Sequence, residues 1–370
     1  MGIRDLDDYP WDAVVPYRAR AAEHPDGIVD LSIGSPVDPT PDVVRRALAE
    51  ATDAHAYPLT VGTPALREAI VEWYARRRGV PDLSVDNVLP TVGSKELVAL
   101  LPTLLGLGPG DIVAYPTVAY PSYEVGAKVA GATPLAADDP AEWPEGTKLI
   151  WINTPGNPDG RTWTLEELAA AVTRARELGA VLASDECYAE LGWDGPWADQ
   201  PVPSVLDPRV TGGSRANLLS VYSLSKQSNL AGYRAAFVAG CKRVVADLLT
   251  ARKHLGLMPP APVQHAMTVA LQDEEHVAAQ KALYRVRRDL LRPALEGAGF
   301  RVDGSEAGLY LWVTEGRDAW ESMDRLAELG ILAGPGHFYG TRSGDHVRLS
   351  LTAPTERIEA AAHRLAAAAL

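Results

Sequence analysis

The sequence predicts an α/β protein built as two lobes. Short β-rich runs alternate with helical patterns through the middle of the chain, and near Glu274 the texture changes to a long charged helix followed by mixed strands and helices. In addition, 370 residues exceed what one small domain holds together. Strands that alternate with helices build a sheet covered on both faces.

The elements follow in order. Thr40-Pro41-Asp42 predicts a helix start, with Thr40 as N-cap, Pro41 at the first helical position and Asp42 facing the positive dipole end. Val44, Ala47, Leu48 and Ala51 then recur at helical spacing. An apolar helix is expected over 97–105 and a strand over 111–115. Further strands are expected over 149–152, 180–183, 218–222 and 235–239. Between the second and third of these five strands, Thr164 and Glu167 form a capping box and Gly179 is placed to stop the helix. The connection from Tyr222 to Ala235 is too short for a crossover helix, so the last strand should run antiparallel. A helix over 275–296 leads into strands near 301–302 and 310–313. A helix over 320–329, a strand over 347–351 and an Ala-rich terminal helix complete a smaller α+β lobe. The expected division is residues 1–40 as an N-terminal arm and part of the small lobe, 41–274 as the large lobe, and 275–370 as the small one.

Composition removes several function classes. Lys+Arg number 35 against 48 Asp+Glu, a net charge of −13, which argues against nucleic-acid and anionic-membrane partners. Two cysteines, Cys187 and Cys241, cannot make a disulfide framework and point to a reducing compartment. Met1 to Asp8 is acidic with no apolar leader pattern, so a cytoplasmic location is expected. Gly106-Leu107-Gly108-Pro109-Gly110 follows a helix and precedes a strand, the reverse of a dinucleotide loop, and reads as a turn. Neither a nucleophile elbow nor a zinc helix of the His-Glu-x-x-His type is present, and no metal is expected.

Polar residues then gather where an open α/β sheet binds ligands, beyond the strand ends. Asn157 follows one strand in Asn153-Thr154-Pro155-Gly156-Asn157-Pro158-Asp159-Gly160. Asp185 and Tyr188 close the next in Ser184-Asp185-Glu186-Cys187-Tyr188. Ser223, Ser225 and Lys226 close a third, and Arg234 opens the strand after it. Each alone reads as structural; three successive strand ends together read as a site.

These segments resemble the class I/II aminotransferases, fold type I enzymes that use pyridoxal 5'-phosphate. The resemblance covers nearly the whole chain and departs at Asp159, where the family commonly has Thr. It implies a large lobe with a mostly parallel seven-stranded sheet. By the resemblance, Lys226 bonds the cofactor and moves the substrate proton, Asp185 pairs with the ring nitrogen, and Asn157 and Tyr188 hydrogen-bond the ring oxygen. Tyr120 corresponds to the aromatic that stacks on the ring, with core packing as its other reading. The phosphate would meet backbone N–H groups of Ser94 and Lys95 at a helix start, with Ser223, Ser225 and Arg234. Tyr57 resembles the tyrosine that reaches the phosphate of a neighbouring subunit, which implies a homodimer with shared sites. Arg348 matches the arginine for the substrate α-carboxylate, and Gly34 the glycine that lets backbone approach the substrate.

The pattern is most similar to the actinobacterial-type succinyldiaminopimelate aminotransferases, through segments such as Met258-Pro259-Pro260-Ala261 and Pro335-Gly336-His337-Phe338. This implies transfer of an amino group between N-succinyl-LL-2,6-diaminopimelate and 2-oxoglutarate, in lysine biosynthesis. A second cation is then expected for the distal carboxylate, with Lys253, His254, Arg18 and Arg20 as candidates. Aminotransferases with acetylornithine, alanine or aromatic donors, and related C–S lyases, are the alternatives. Regulators that carry such a domain need a helix-turn-helix, and the short acidic N-terminal segment does not read as one.

Overall fold

Residues 10–368 are described by a computed structural model. The expectations for Met1 to Asp8, and for the part of the arm before Pro10, lie outside the described residues. In chain order, β1 (Val29–Asp30) precedes seven strands: β2 (Val88–Val92), β3 (Ile112–Tyr115), β4 (Thr133–Ala136), β5 (Thr147–Asn153), β6 (Val181–Asp185), β7 (Leu218–Ser223) and β8 (Ala235–Gly240). A second group follows: β9 (Arg301–Val302), β10 (Tyr310–Thr314), β11 (Ile331–Leu332), β12 (Gly334–Pro335) and β13 (His346–Ser350).

The seven strands pair in the order β2-β8-β7-β6-β5-β3-β4. All run parallel except β8, which is antiparallel to both neighbours. The connection into β8 holds only the short helix Leu224–Gln227 and the 3-10 turn Ala231–Tyr233, too little to cross the sheet. β2 and β4 escape the sequence pattern for one reason: each contains a proline, Pro90 and Pro134. Both are edges of the sheet, where a residue without an N–H leaves no ladder bond unmade on the open side.

Local signals set the helices. Thr164 and Glu167 form the capping box of the helix Leu165–Leu178, and Gly179 ends it in the left-handed conformation. The turn at Gly106 and Gly110 has positive φ at both glycines, between the helix Ser94–Leu104 and β3. The expectation at Thr40 is corrected. The helix spans Asp42–Glu50 with Pro41 at the cap position, and the Thr40 hydroxyl donates to the Asn229 carbonyl at 3.3 Å. The helix starts one residue later than the Thr-Pro signal places it, and the Thr40 hydroxyl turns to Asn229 instead of the helix N–H groups.

β12-β13-β10-β9 form an antiparallel sheet, and β1 pairs in parallel with β11. Val14, Val29 and Leu31 therefore share a core with Leu311, Val347 and Ile358. The same core receives Cys187 and Tyr188 from the segment after β6. That contact carries the carboxyl edge of the large sheet up to the small one.

Candidate active site

The sheet order puts three consecutive strand ends side by side. β6 ends in Asp185, its neighbour β5 ends in Asn153 just before the Asn157 loop, and its other neighbour β7 ends in Ser223. Asp185 is buried; its Oδ2 accepts from the Tyr123 hydroxyl at 3.0 Å and its Oδ1 from the Cys187 backbone N–H at 3.2 Å. Burial raises its pKa above the ordinary carboxylate range. The Ser223 Oγ accepts from the Ser225 N–H at 3.1 Å and lies 2.8 Å from the Ser225 Oγ. Lys226, half-buried in the helix Leu224–Gln227, points its ammonium at the Gly34 carbonyl. Burial, with the Arg348 and Arg234 charges nearby, lowers its pKa below the usual lysine value. Arg234 takes φ +54° and donates to the Ala231 carbonyl at 2.9 Å.

The small lobe contributes Arg348 from β13. It is buried, donates to Asn157 Oδ1 and to the Ser32 carbonyl, each at 2.8 Å, and lies with its guanidinium carbon 3.9 Å from the Tyr310 ring centre and 4.9 Å from that of Tyr339. Its Nε has no hydrogen-bond partner. Tyr188 brings its hydroxyl within 3.2 Å of the Tyr310 hydroxyl. Gly34 closes the group: a Cβ there would fall 2.2 Å from the Tyr310 oxygen. Only glycine permits that approach.

Asp185, Lys226, Arg234 and Arg348 share an unusual property. None forms a salt bridge among the described residues; their partners are hydroxyls, amides and carbonyls. Leaving a carboxylate and a guanidinium buried and unpaired is costly unless a ligand supplies the opposite charges. Pyridoxal phosphate fits that donor set. Its ring nitrogen suits Asp185, its aldehyde Lys226, and its phosphate Arg234 with the Ser223 and Ser225 hydroxyls. The Arg234 guanidinium rests on bare Gly93, where φ is +77° and a Cβ would lie 2.1 Å from Nη2. Gly93→Ala should displace that cation and weaken pyridoxal phosphate binding by about tenfold or more, roughly one charge-assisted contact, in a titration of the apoprotein.

The remaining candidates sit around this group. Ser94 opens the helix Ser94–Leu104 after Gly93. The Lys95 side chain is exposed, with its ammonium 5.8 Å from the centre of the half-buried Tyr120 ring. Tyr120 meets Tyr123 edge-on at 6.0 Å. Tyr57 is 97% exposed and so lies outside the cluster within one chain. Of the four distal-cation candidates, Arg18 is paired with Asp30 at 2.7 Å, and Arg20 with Asp324 at 2.8 Å and Glu328 at 2.6 Å. Lys253 and His254 are exposed in the last turn of the helix Lys242–Leu255. Sequence reasoning passed over Tyr123, Tyr310, Tyr339 and Ser32. For Tyr310 a signal existed: it and Trp312 alternate on the strand that pairs with the one carrying Arg348.

The family model described as aminotransferase class I and II matches residues 26–365. The chain is 53% identical over 364 residues to the 4-dedimethylamino-4-oxo-anhydrotetracycline transaminase of Streptomyces rimosus, covering 98% of this chain and all of the relative. It is 35% identical over 360 residues to the LL-diaminopimelate aminotransferase of Aquifex aeolicus, covering 91% of this chain and 90% of the relative. A solved structure, the probable N-succinyldiaminopimelate aminotransferase from Thermus thermophilus, superposes with a TM-score of 0.86 at 31% identity, over 97% of this chain and 99% of that one. With the strand-end cluster already described, these likenesses establish that the chain belongs to the class I and II aminotransferases, fold type I enzymes that act with pyridoxal 5'-phosphate on amino acids and 2-oxo acids.

Proposed function

We propose that the chain transfers an amino group between N-succinyl-LL-2,6-diaminopimelate and 2-oxoglutarate. Two cations carry this reading. Arg348, buried with a vacant Nε, suits the α-carboxylate common to all amino acids. Lys95, against Tyr120 and without a carboxylate partner among the described residues, suits the distal carboxylate that both proposed substrates bear. The likeness to the Thermus thermophilus protein supports the same substrate. A second reading has its own support: the 53% identity to the Streptomyces rimosus transaminase favours amination of a polycyclic ketone of the anhydrotetracycline kind.

The residues divide the work as follows. Pyridoxal phosphate, when bound, supplies the conjugated ring that takes up the electron pair left at the amino acid Cα. The Lys226 Nζ, with its pKa lowered, spends more time as free base and can accept and return the Cα proton. Asp185 would hold the ring nitrogen protonated, and Asn157 and Tyr188 would orient the ring oxygen. Tyr120 would pack on the ring face. Ser94, Ser223, Ser225, Arg234 and the Lys95 N–H would hold the phosphate. Gly34 leaves room for the substrate beside Lys226.

Tyr57 at 97% and Leu59 at 52% exposure support a homodimer in which Tyr57 completes the neighbour's phosphate site. The joint core of Val14, Val29 and Leu31 with the C-terminal strands supports a division at residues 1–40, 41–274 and 275–370. Free Cys187 and Cys241 support a cytoplasmic location. No helix among the described residues is long and apolar enough to cross a membrane.

Amino donors presented with 2-oxoglutarate, and glutamate analogues of different length, test the substrate. Succinylated diaminopimelate should exceed acetylornithine, alanine and aromatic donors in kcat/KM by about tenfold or more, the worth of one charge-assisted contact. A preference for the tetracycline-type ketone would select the second reading, and β-elimination without amino transfer would select a C–S lyase.

A further inference from the structure

We propose that Tyr310 is a positioning residue of the amino-transfer step, whose hydroxyl orients the Tyr188 hydroxyl by hydrogen-bonding it. The inference rests on the aminotransferase reading of the site and adds a residue to it.

The sheet register puts Tyr310 there. Across β10 and β13, Tyr310 pairs with Ser350 and Trp312 with Arg348, so Tyr310, Trp312 and Arg348 share one face. That face meets the segment after β6, where the Tyr188 and Tyr310 rings approach edge-on at 5.7 Å. The Tyr310 phenol end covers the Cα of Gly34, whose carbonyl faces the Lys226 ammonium. One phenol thus touches Tyr188, Gly34 and, through its ring face, Arg348.

The two hydroxyls are not equivalent. Arg348 and Lys226 lower the Tyr310 pKa in spite of full burial, whereas burial and Tyr310 itself raise that of Tyr188. Either hydroxyl can donate across the 3.2 Å contact; with the single Tyr188 proton directed at the ring oxygen, as the proposed function requires, Tyr310 O–H donates to the Tyr188 oxygen. Accepting that bond polarises the Tyr188 O–H and strengthens it as a donor to a further acceptor. A phenylalanine at 310 would pack in the same place and still face Arg348. It would leave Tyr188 without this bond.

The test compares wild type, Tyr310→Phe, Tyr188→Phe and the double variant, each loaded with pyridoxal phosphate. In Tyr310→Phe the pH midpoint of the cofactor's visible band should rise by about half a unit or more. Its kcat with glutamate should fall about tenfold while the glutamate KM stays within about twofold. In the Tyr188→Phe background, Tyr310→Phe should shift the midpoint no further. Binding of pyridoxal phosphate to each apoprotein reports whether the variant is folded around its site. A Tyr310→Phe protein with wild-type midpoint and kcat, or a shift that persists without the Tyr188 hydroxyl, would overturn the inference. A wild-type protein that glutamate cannot bleach would instead sink the aminotransferase assignment of these residues.

Discussion

Lys226→Ala should lower turnover by about four orders of magnitude, the upper range for removing a positioned acid–base group that also bonds the cofactor. The geometry explains why no neighbour substitutes. Among Asp185, Lys226, Arg234 and Arg348, only Lys226 carries a flexible amine, and the Lys95 ammonium is exposed over Tyr120. Arg348 and Arg234 carry guanidiniums rather than amines, and the Tyr188, Tyr310 and Tyr123 hydroxyls bond one another or Asp185. The variant should still fold, because among the described residues the Lys226 ammonium hydrogen-bonds the Gly34 carbonyl and forms no salt bridge. Rapid mixing with glutamate is the measurement: the cofactor band should persist instead of fading. Turnover at the wild-type rate would show that the proton moves through some other group.

Arg348→Met should cut kcat/KM for both amino acid and oxo acid by about two to three orders of magnitude. Both carry an α-carboxylate, and the bound form loses a two-pronged charged contact worth about 3–4 kcal/mol. Stability should move differently. Arg348 is 4% exposed with no opposing charge, so the folded protein bears its desolvation without a salt bridge in return. Methionine fills similar volume and should leave the thermal midpoint of the apoprotein unchanged or higher. A large loss of stability together with unchanged kcat/KM would mean that Arg348 is structural. The pairing of high functional cost with low structural cost is the signature of a binding cation.

How much of this was readable depends on where each residue lies. Asp185, Lys226 and Arg234 stood out because polar residues at the ends of apolar β-runs break a strong pattern, and the parallel sheet brings adjacent ends together. Arg348 was legible only through the family resemblance, since a lone arginine in a strand reads equally as a surface charge. Tyr123 was not legible, and Tyr310 showed only in its alternation with Trp312. Their rings fit apolar spacing, and only the tertiary contacts to Tyr188 and Asp185 show the work of their hydroxyls. The prolines of β2 and β4 hid both sheet edges, while β1, β11 and β12 span two residues each and carry no alternation. Thr40 illustrates the converse error. Its cap signature was sound locally, but the helix starts one residue on and the hydroxyl turns to the Asn229 carbonyl, nearly two hundred positions later.

The distal end of the substrate was the least legible part. Arg18 and Arg20 looked available in sequence and are already paired with carboxylates. Lys95 was read only as a helix-start residue, and its side chain instead projects over Tyr120. The difference follows from direction. A sequence shows that a cation exists; the fold shows which way it points.

The most direct test is a single half-reaction. Protein loaded with pyridoxal phosphate is mixed with glutamate in the absence of any oxo acid, and the visible band and 2-oxoglutarate are followed together. The band should fade with one equivalent of 2-oxoglutarate per site, and added 2-oxoglutarate should restore it, with Lys226→Ala inert in both directions. A band that glutamate leaves unchanged, or one that fades without releasing 2-oxoglutarate, would contradict the assignment of this cluster as an amino-transfer site.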